Sequence, residues 1–343
     1  MRFALACWLF TRAVVFAAFA AAAPHGILAA LGNWDGAWYG SIAVHGYEFA
    51  RDGAAYNVAF FPLFPLLGSL LGHLGIEWPL AGALINNCAF LASVLLLYEF
   101  TRKRFCIQTA RWVCATACAL PLSLFCSVAY AEGLFFFFSI ASLWCFENQR
   151  YALAGTAAAC ASATRPLGIA LAVALIVIAA ARGCGWRALL GSVAGLSGIL
   201  AFAVFCAIRF KDPIAFVEAQ RFWRHGIGFA PAGWLGLLRG AMSGRAHDWI
   251  VIAMLAAGVV AVAMFSRRLG AASTLYVALA YAMIIFSGTP LSIDRNLYSV
   301  APLLVAIAAL FQRVPYAGYA TLAASLVLLA LDTLTFARFG WVA

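Results

Sequence analysis

The sequence predicts an all-α polytopic membrane protein, a bundle of about eleven transmembrane helices. Three observations predict it. Apolar residues make up 66% of the 343-residue chain and charged residues only 10%, whereas a soluble domain is about half apolar and a quarter charged. The mean hydropathy is +0.98. The apolar residues also come in runs near the roughly 20 residues that a bilayer requires, with ionisable groups, Gly and Pro collected between the runs.

Taken in order, the first run is 4–23. Its alanine-rich end before Pro24 has the look of a secretory signal, but Arg12 interrupts the apolar stretch and the spans that follow make cleavage unnecessary, so it reads as the first crossing. Residues 24–78 form a long outer segment. Within it, the prolines of Phe60-Phe-Pro-Leu-Phe-Pro-Leu-Leu67 lie three apart and the run to Leu74 is short, so 60–74 reads as a helix lying at the interface or dipping in. Further crossings follow at 79–99, 112–129, 133–147, 151–164, 167–181 and 188–208, with Thr164-Arg165-Pro166 as the tip of a tight hairpin. A second long outer segment, 209–248, contains Arg209-Phe-Lys-Asp-Pro and Ala219-Gln-Arg-Phe-Trp-Arg224, whose first half suits an amphipathic surface helix. The last crossings are 249–265, 271–287, 296–311 and 316–336. No repeat or low-complexity linker divides the chain, which is read as one domain.

Lysines and arginines set the orientation. The turns 101–111, 182–187, 267–268 and 313, with Arg2 and Arg150, hold eleven basic residues against Glu99 and Glu147, and are expected to face the cytoplasm together with the N-terminus. The opposite loops balance ten basic residues against ten acids. The net charge of +10 thus reports topology and contact with anionic lipid, and gives no sign of nucleic-acid binding. The ten cysteines avoid the long outer segments and form no Cys-x-x-Cys pair, so neither disulfides nor a zinc site is expected. Cys114 and Cys118 share a helix face and read as small buried apolar groups.

The remaining ionisable groups fall on the outer side. Asp35 stands in Gly32-Asn-Trp-Asp-Gly-Ala-Trp-Tyr39, Glu132 in Tyr130-Ala-Glu132, Arg165 at the hairpin tip, and Asp294 and Arg295 in Ser292-Ile-Asp-Arg-Asn296, followed by Tyr298. Each has a purely structural reading. Glu132 and Arg165 can pair with each other, Asp294 can sit at a helix dipole, Asp35 can cap a helix, and Trp34, Trp38, Tyr39 and Tyr47 can belong to an interfacial aromatic belt. The chemical reading gives each a task. A half-buried carboxylate suits a general base, arginines suit a phosphate, and flat aromatic faces suit a sugar ring.

Five stretches, in order, resemble the PIG-V family, the second mannosyltransferases of GPI-anchor synthesis and their bacterial relatives. They are Trp34-Asp-Gly-Ala-Trp-Tyr-Gly-Ser-Ile-Ala-Val-His-Gly-Tyr47, the Phe60–Leu67 run, Ala129-Tyr-Ala-Glu-Gly-Leu134, Ala163-Thr-Arg-Pro-Leu-Gly168 and Arg295-Asn-Leu-Tyr-Ser-Val-Ala-Pro302. The resemblance implies a GT-C-like, inverting membrane glycosyltransferase. Its donor would be a polyprenyl-phosphate sugar, typically mannose, used on the non-cytoplasmic face of a bacterial inner membrane. The acceptor would be a lipid-linked glycan or other glycoconjugate. By resemblance, Asp35 is the catalytic base and Arg165 and Arg295 bind the donor phosphate. Trp34, Trp38, Tyr39, Tyr47, Tyr130, Glu132, Gln220, Asp294 and Tyr298 are expected to bind substrate. Where many members carry a serine in the Tyr-x-Glu region, this chain has Ala131 and Gly133. No cofactor is required, because no diphosphate leaves, although His45 and Glu48 lie near enough to Asp35 in sequence to raise a divalent metal site. A transporter or flippase with a Glu/Asp/Arg relay is the alternative reading. A non-catalytic membrane subunit is a third.

Overall fold

The computed structural model describes residues 1–223, 228–290 and 292–342. Arg224, in the predicted surface helix, lies outside the described residues. The described residues are helical apart from turns and one isolated bridge between Gly228 and Ser287. The first helix, α1 (Arg2–Ala22), is followed by the short helices α2 (Ile27–Leu31), α3 (Asp35–His45) and α4 (Leu63–Gly72). Then come α5 (Trp78–Arg104), α6 (Ile107–Ala119), α7 (Glu132–Glu147), α8 (Tyr151–Thr164) and α9 (Leu167–Ala181). The pair α10 (Trp186–Ala194) and α11 (Ser197–Phe210) leads to the short helices α12 (Ala215–Ala219) and α13 (Pro231–Met242). The chain closes with α14 (Ala246–Leu269), α15 (Ala271–Ile285), α16 (Ile293–Tyr298), α17 (Ala301–Arg313) and α18 (Pro315–Ala337).

Each predicted span coincides with a helix or a broken helix, but the count of eleven crossings does not follow. Four helices, α1, α5, α14 (from His247) and α18, are long and apolar enough to cross alone, and α10 with α11, bent by 42°, makes up to five. The apolar helices α9, α15 and α17 have only 13 to 15 residues, about 20–22 Å of helix, short of a hydrocarbon core of about 30 Å. Apolarity marks these segments because they are buried by neighbours, and burial by protein reads the same as burial by lipid.

The expected span 112–129 is also corrected. The helix stops at Ala119, and Pro121–Cys126 continues as a 3-10 turn, because proline lacks the N–H and clashes with the preceding turn. Non-helical backbone at membrane depth survives only where protein groups satisfy it. Arg12, 3% exposed, donates to the Ser123 carbonyl (2.7 Å), the Ser123 hydroxyl (2.8 Å) and the Ser127 hydroxyl. Asn86 of α5 donates to Phe125 O (2.6 Å) and Val128 O (2.8 Å), and Asn87 donates to Ser127 O (3.0 Å). Arg12, which in the sequence merely interrupts a span, clamps the unwound segment.

The helices enclose one large core, with α5 packed against both α6 and α7, α7 on α8, α9 on α15, α17 on α6 and α14, and α18 returning to α1. The basic turns gather at one end, where Arg104 meets Glu147 (3.1 Å) and Leu269 O, Lys103 lies over Trp144 and Arg313 over Phe265. Glu132 and Glu147 bound the 16-residue α7, so the two ends stand about 24 Å apart. At the Glu132 end the two long outer segments join. Val58 and Phe61 pack with Phe202, Cys206, Ala215 and Ala219, and Arg51 pairs with Asp212 (2.8 Å) and Glu218 (3.4 Å). Burial pushes the Asp212 carboxyl up, but the Arg51 hydrogen bond, the Ile214 N–H and the Arg51 charge outweigh it and hold Asp212 below the usual range.

Candidate active site

Asp35 opens α3 but does not cap it. The N-cap position belongs to Trp34, with φ 55° and ψ −118°, and there is no side-chain cap. Those angles are those of the first central residue of a type II′ turn, closed here by Gly36 N–H to Asn33 O (3.1 Å), a place normally taken by Gly. Holding a tryptophan there costs on the order of 1–3 kcal/mol. The turn leaves the Asp35 carboxylate free of local backbone, and its Oδ2 accepts from Arg295 Nη2 at 2.7 Å. The Asp35 N–H donates to the hydroxyl of buried Tyr130 (3.2 Å).

Glu132 is the first residue of α7, where a negative charge meets the positive end of the helix dipole. Its neighbour Gly133 donates its N–H to Asn86 Oδ1 (2.7 Å), so Asn86 supplies from another helix the cap that the chain lacks locally. Glu132 Oε1 forms an ion pair with Arg165 Nη1 and lies 3.1 Å from Arg295 Nε, although that N–H is not aligned for a hydrogen bond. Arg165 extends between α8 and α9 (φ −153°, ψ 152°) because Pro166 cannot continue the first helix. Its Nη2 donates to Asn296 Oδ1 (2.9 Å). Arg295, on the short α16, also lies over the rings of Phe125 (5.3 Å) and Tyr130 (5.4 Å).

Asp35, Arg295, Glu132 and Arg165 therefore alternate in sign and sum to zero. The Glu132 side chain is 3% exposed, Arg165 10%, Arg295 15% and Asp35 23%, so the most exposed member of the series is the carboxylate at its end. The unwound segment delivers Tyr130 and Glu132, the α8–α9 tip delivers Arg165, and the break before α17 delivers Arg295.

The other predicted site residues divide. Asp294 is buried beside the series and accepts from the backbone N–H of Arg295 (2.8 Å). Trp38 stacks on Phe60 (6.0 Å between centroids) with Trp223 at its edge (5.8 Å). Tyr39 packs between Phe60 and Phe64, Tyr47 donates to Phe60 O (2.9 Å), and Gln220 donates to Ala59 O (3.3 Å). These four gather around Phe60 and Ala59. Tyr298 is not brought to the site: it is fully buried and donates to Ala117 O (2.6 Å). Trp34 is already occupied, stacked on Phe339 (4.7 Å) with its Nε1 donating to Gly340 O (3.2 Å). His45 ends the helix that Asp35 begins, about 15 Å away along ten residues. Among the described residues no three His, Cys, Asp or Glu side chains gather as a metal site.

Sequence reasoning missed Asn86, Asn296 and the Phe339–Trp341 tail. Asn86 and Asn87 did carry a signal, as adjacent amides inside a 27-residue apolar helix, where polar side chains need partners. Nothing local marks the tail, whose contacts with Trp34 are made across about 300 residues of chain.

Comparison with known proteins follows the same lines. The chain is similar to the GPI alpha-1,6-mannosyltransferase 2 of Cricetulus griseus, 30% identical over 171 residues (46% of this chain, 33% of that protein). It is also similar to that of Rattus norvegicus, 27% identical over 206 residues (56% and 40%). It thus spans a third to two fifths of the length of these curated relatives. The fold is shared with ArnT from Cupriavidus metallidurans bound to undecaprenyl phosphate, at TM-score 0.57 and 14% identity over 95% of this chain and 63% of that one. It is shared too with the apo oligosaccharyltransferase of Archaeoglobus fulgidus, at TM-score 0.54 and 12% identity (96% and 56%). This is the GT-C fold of integral membrane proteins. The family model described as Mannosyltransferase (PIG-V) matches residues 6–183, a little over half of the sequence, and the chain belongs to that family.

Proposed function

We propose that this chain is an inverting mannosyltransferase that takes its sugar from a polyprenyl phosphate and passes it to a hydroxyl of a lipid-linked glycan or other glycoconjugate. The observation that carries the reading is the alternating series Asp35, Arg295, Glu132, Arg165, with the Asp35 carboxylate as its most exposed end. In the reaction Asp35 accepts the proton of the acceptor hydroxyl as its oxygen attacks the anomeric carbon. The bond from that carbon to the phosphate oxygen breaks, and the lipid phosphate leaves with the bonding pair. Arg295 and Arg165 hold the departing phosphate, and Glu132 keeps both guanidiniums in place. Arg295 has donors beyond those it gives Asp35. Phosphate binding would draw it away from Asp35, so that the base is released when the donor is seated.

The family match supports a mannosyltransferase, and the undecaprenyl phosphate bound to ArnT supports a lipid phosphate as the group held. The site would act on the non-cytoplasmic face of a bacterial inner membrane, with the basic turns and the N-terminus in the cytoplasm. No metal is needed to balance a departing monophosphate, and turnover should survive a chelator. The test is transfer of labelled mannose from polyprenyl-phosphate-mannose to a membrane acceptor pool by purified protein. General-base catalysis contributes about 10²–10⁴-fold, so Asp35→Asn should lower turnover by about that factor. Undiminished transfer by Asp35→Asn would refute the base.

A further inference from the structure

The residue before the proposed base is held in a left-handed conformation, and the opposite end of the chain is what holds it. Past α18, Phe339 (φ 64°) turns the chain back. Gly340 N–H reaches Thr335 O at 2.8 Å, and a Cβ on Gly340 would lie 2.5 Å from Thr335 Cγ2. This tight turn places three groups on Trp34. Phe339 stacks on its ring at 4.7 Å with the planes 19° apart, Trp341 meets it edge-on at 5.2 Å, and Gly340 O accepts from Nε1. The other side of the same turn is held as well, because Asn33 Nδ2 donates to Phe336 O (2.9 Å). Phe336, buried, lies edge-on to Tyr130 (5.9 Å), whose hydroxyl receives the Asp35 N–H.

We propose that residues 336–341 are a positioning element of the catalytic centre, a clasp that keeps Asn33–Gly36 in its strained turn and so aims the Asp35 carboxylate at Arg295. A tryptophan leaves such φ and ψ for the extended region unless its surroundings over-determine it. Here stacking, an edge contact and two hydrogen bonds do so. The indole therefore serves as the handle of the turn, with one face already covered by Phe339 instead of open to a sugar. The clasp rests on the reading of Asp35 as base, and lies outside the stretch 6–183 that carries the family match.

The test is a cycle of Phe339→Ala and Trp34→Gly in the full-length protein, with mannose transfer and amide hydrogen exchange read in parallel. Phe339→Ala should lower kcat at least tenfold with the donor KM within twofold, and should speed exchange of the peptide covering 33–40 while peptides of α5 keep their protection. Phe339→Tyr, which retains the stacked ring, should restore both. Glycine adopts the turn without strain, so in the Trp34→Gly background Phe339→Ala should add little further loss. An undiminished kcat in Phe339→Ala, or equal losses in the two backgrounds, would overturn the proposal. If Asp35→Asn itself retains transfer, the base reading fails separately, and exchange at 33–40 still decides whether the tail holds the turn.

Discussion

Replacing Arg295 by methionine removes the side chain that touches both Asp35 (2.7 Å) and Glu132 (3.1 Å) while keeping apolar bulk under the rings of Phe125 and Tyr130. The two carboxylates are then left unequal. Glu132 keeps Arg165, but Asp35 loses its one ion-pair partner among the described residues. Breaking a buried pair on one side costs about 3–5 kcal/mol because an uncompensated charge stays behind. The Asp35 side chain is 23% exposed, so water offsets part of this and the low end, about 3 kcal/mol, is expected. Adding Asp35→Asn removes the stranded charge. The double variant should regain about 1–2 kcal/mol over Arg295→Met alone, within the usual range for residues in contact. The assay is the denaturation midpoint of the purified protein in detergent, measured for wild type, both single variants and the double. Strict additivity of the two losses would mean that the side chains do not meet, and the alternating series would have to be abandoned.

Three further outcomes follow from the packing. Asn86→Leu leaves Phe125 O and Gly133 N–H without partners, while Val128 O keeps the Tyr130 N–H; at about 1–3 kcal/mol for each buried orphan, it should destabilise by at least about 2 kcal/mol and disable transfer, as thermal unfolding and turnover would record. Gly68→Ala would drive a methyl into the Trp78 ring, whereas the same change at Gly72 meets open space; the first should cost about 1–3 kcal/mol, and the second should be neutral or slightly stabilising in the same melt. The Arg51–Asp212 pair carries an arginine that is 65% exposed, so Arg51→Ala should cost little stability, and less in high salt. Because the folded state holds the Asp212 carboxyl below its usual value, the contribution is complete above about pH 4. It is lost as pH falls through the lower folded value, so the wild-type advantage over Arg51→Ala should vanish in acid titrations.

The candidate site was legible in outline because ionisable groups are so scarce in this chain. With most charge, Arg12 and Asp332 aside, at the ends of apolar runs, the positive-inside pattern put Asp35, Glu132, Arg165 and Arg295 on one expected side. The pair of Glu132 with Arg165 was legible, but the contacts of Arg295 with Asp35 and Glu132 were not. Glu132 serves two arginines, one from the α8–α9 tip and one from α16, and no local pattern ties those segments together. The break at Pro121 could be suspected from the proline, but its position depends on Arg12 and Asn86 reaching it from other helices. The count of eleven crossings is not confirmed for a related reason, since the short helices α9, α15 and α17 are largely covered by neighbours and hydropathy does not say what does the burying. Trp34 looked like a binding surface because aromatic residues near a carboxylate suit a sugar, and only tertiary contact shows its ring covered.

The clamp made by Arg12 also bears on how the protein is made. Its acceptors lie 106 to 115 residues further along the chain, and at about 5–20 residues per second a ribosome needs roughly 5–20 s to supply them. Through that interval the first helix carries an arginine that costs about 2.5–3.5 kcal/mol at the centre of an isolated span. The first helix, apolar enough to cross alone, should therefore gain hold on the bilayer when the 118–127 segment arrives and satisfies the guanidinium, the same backbone that later presents Glu132.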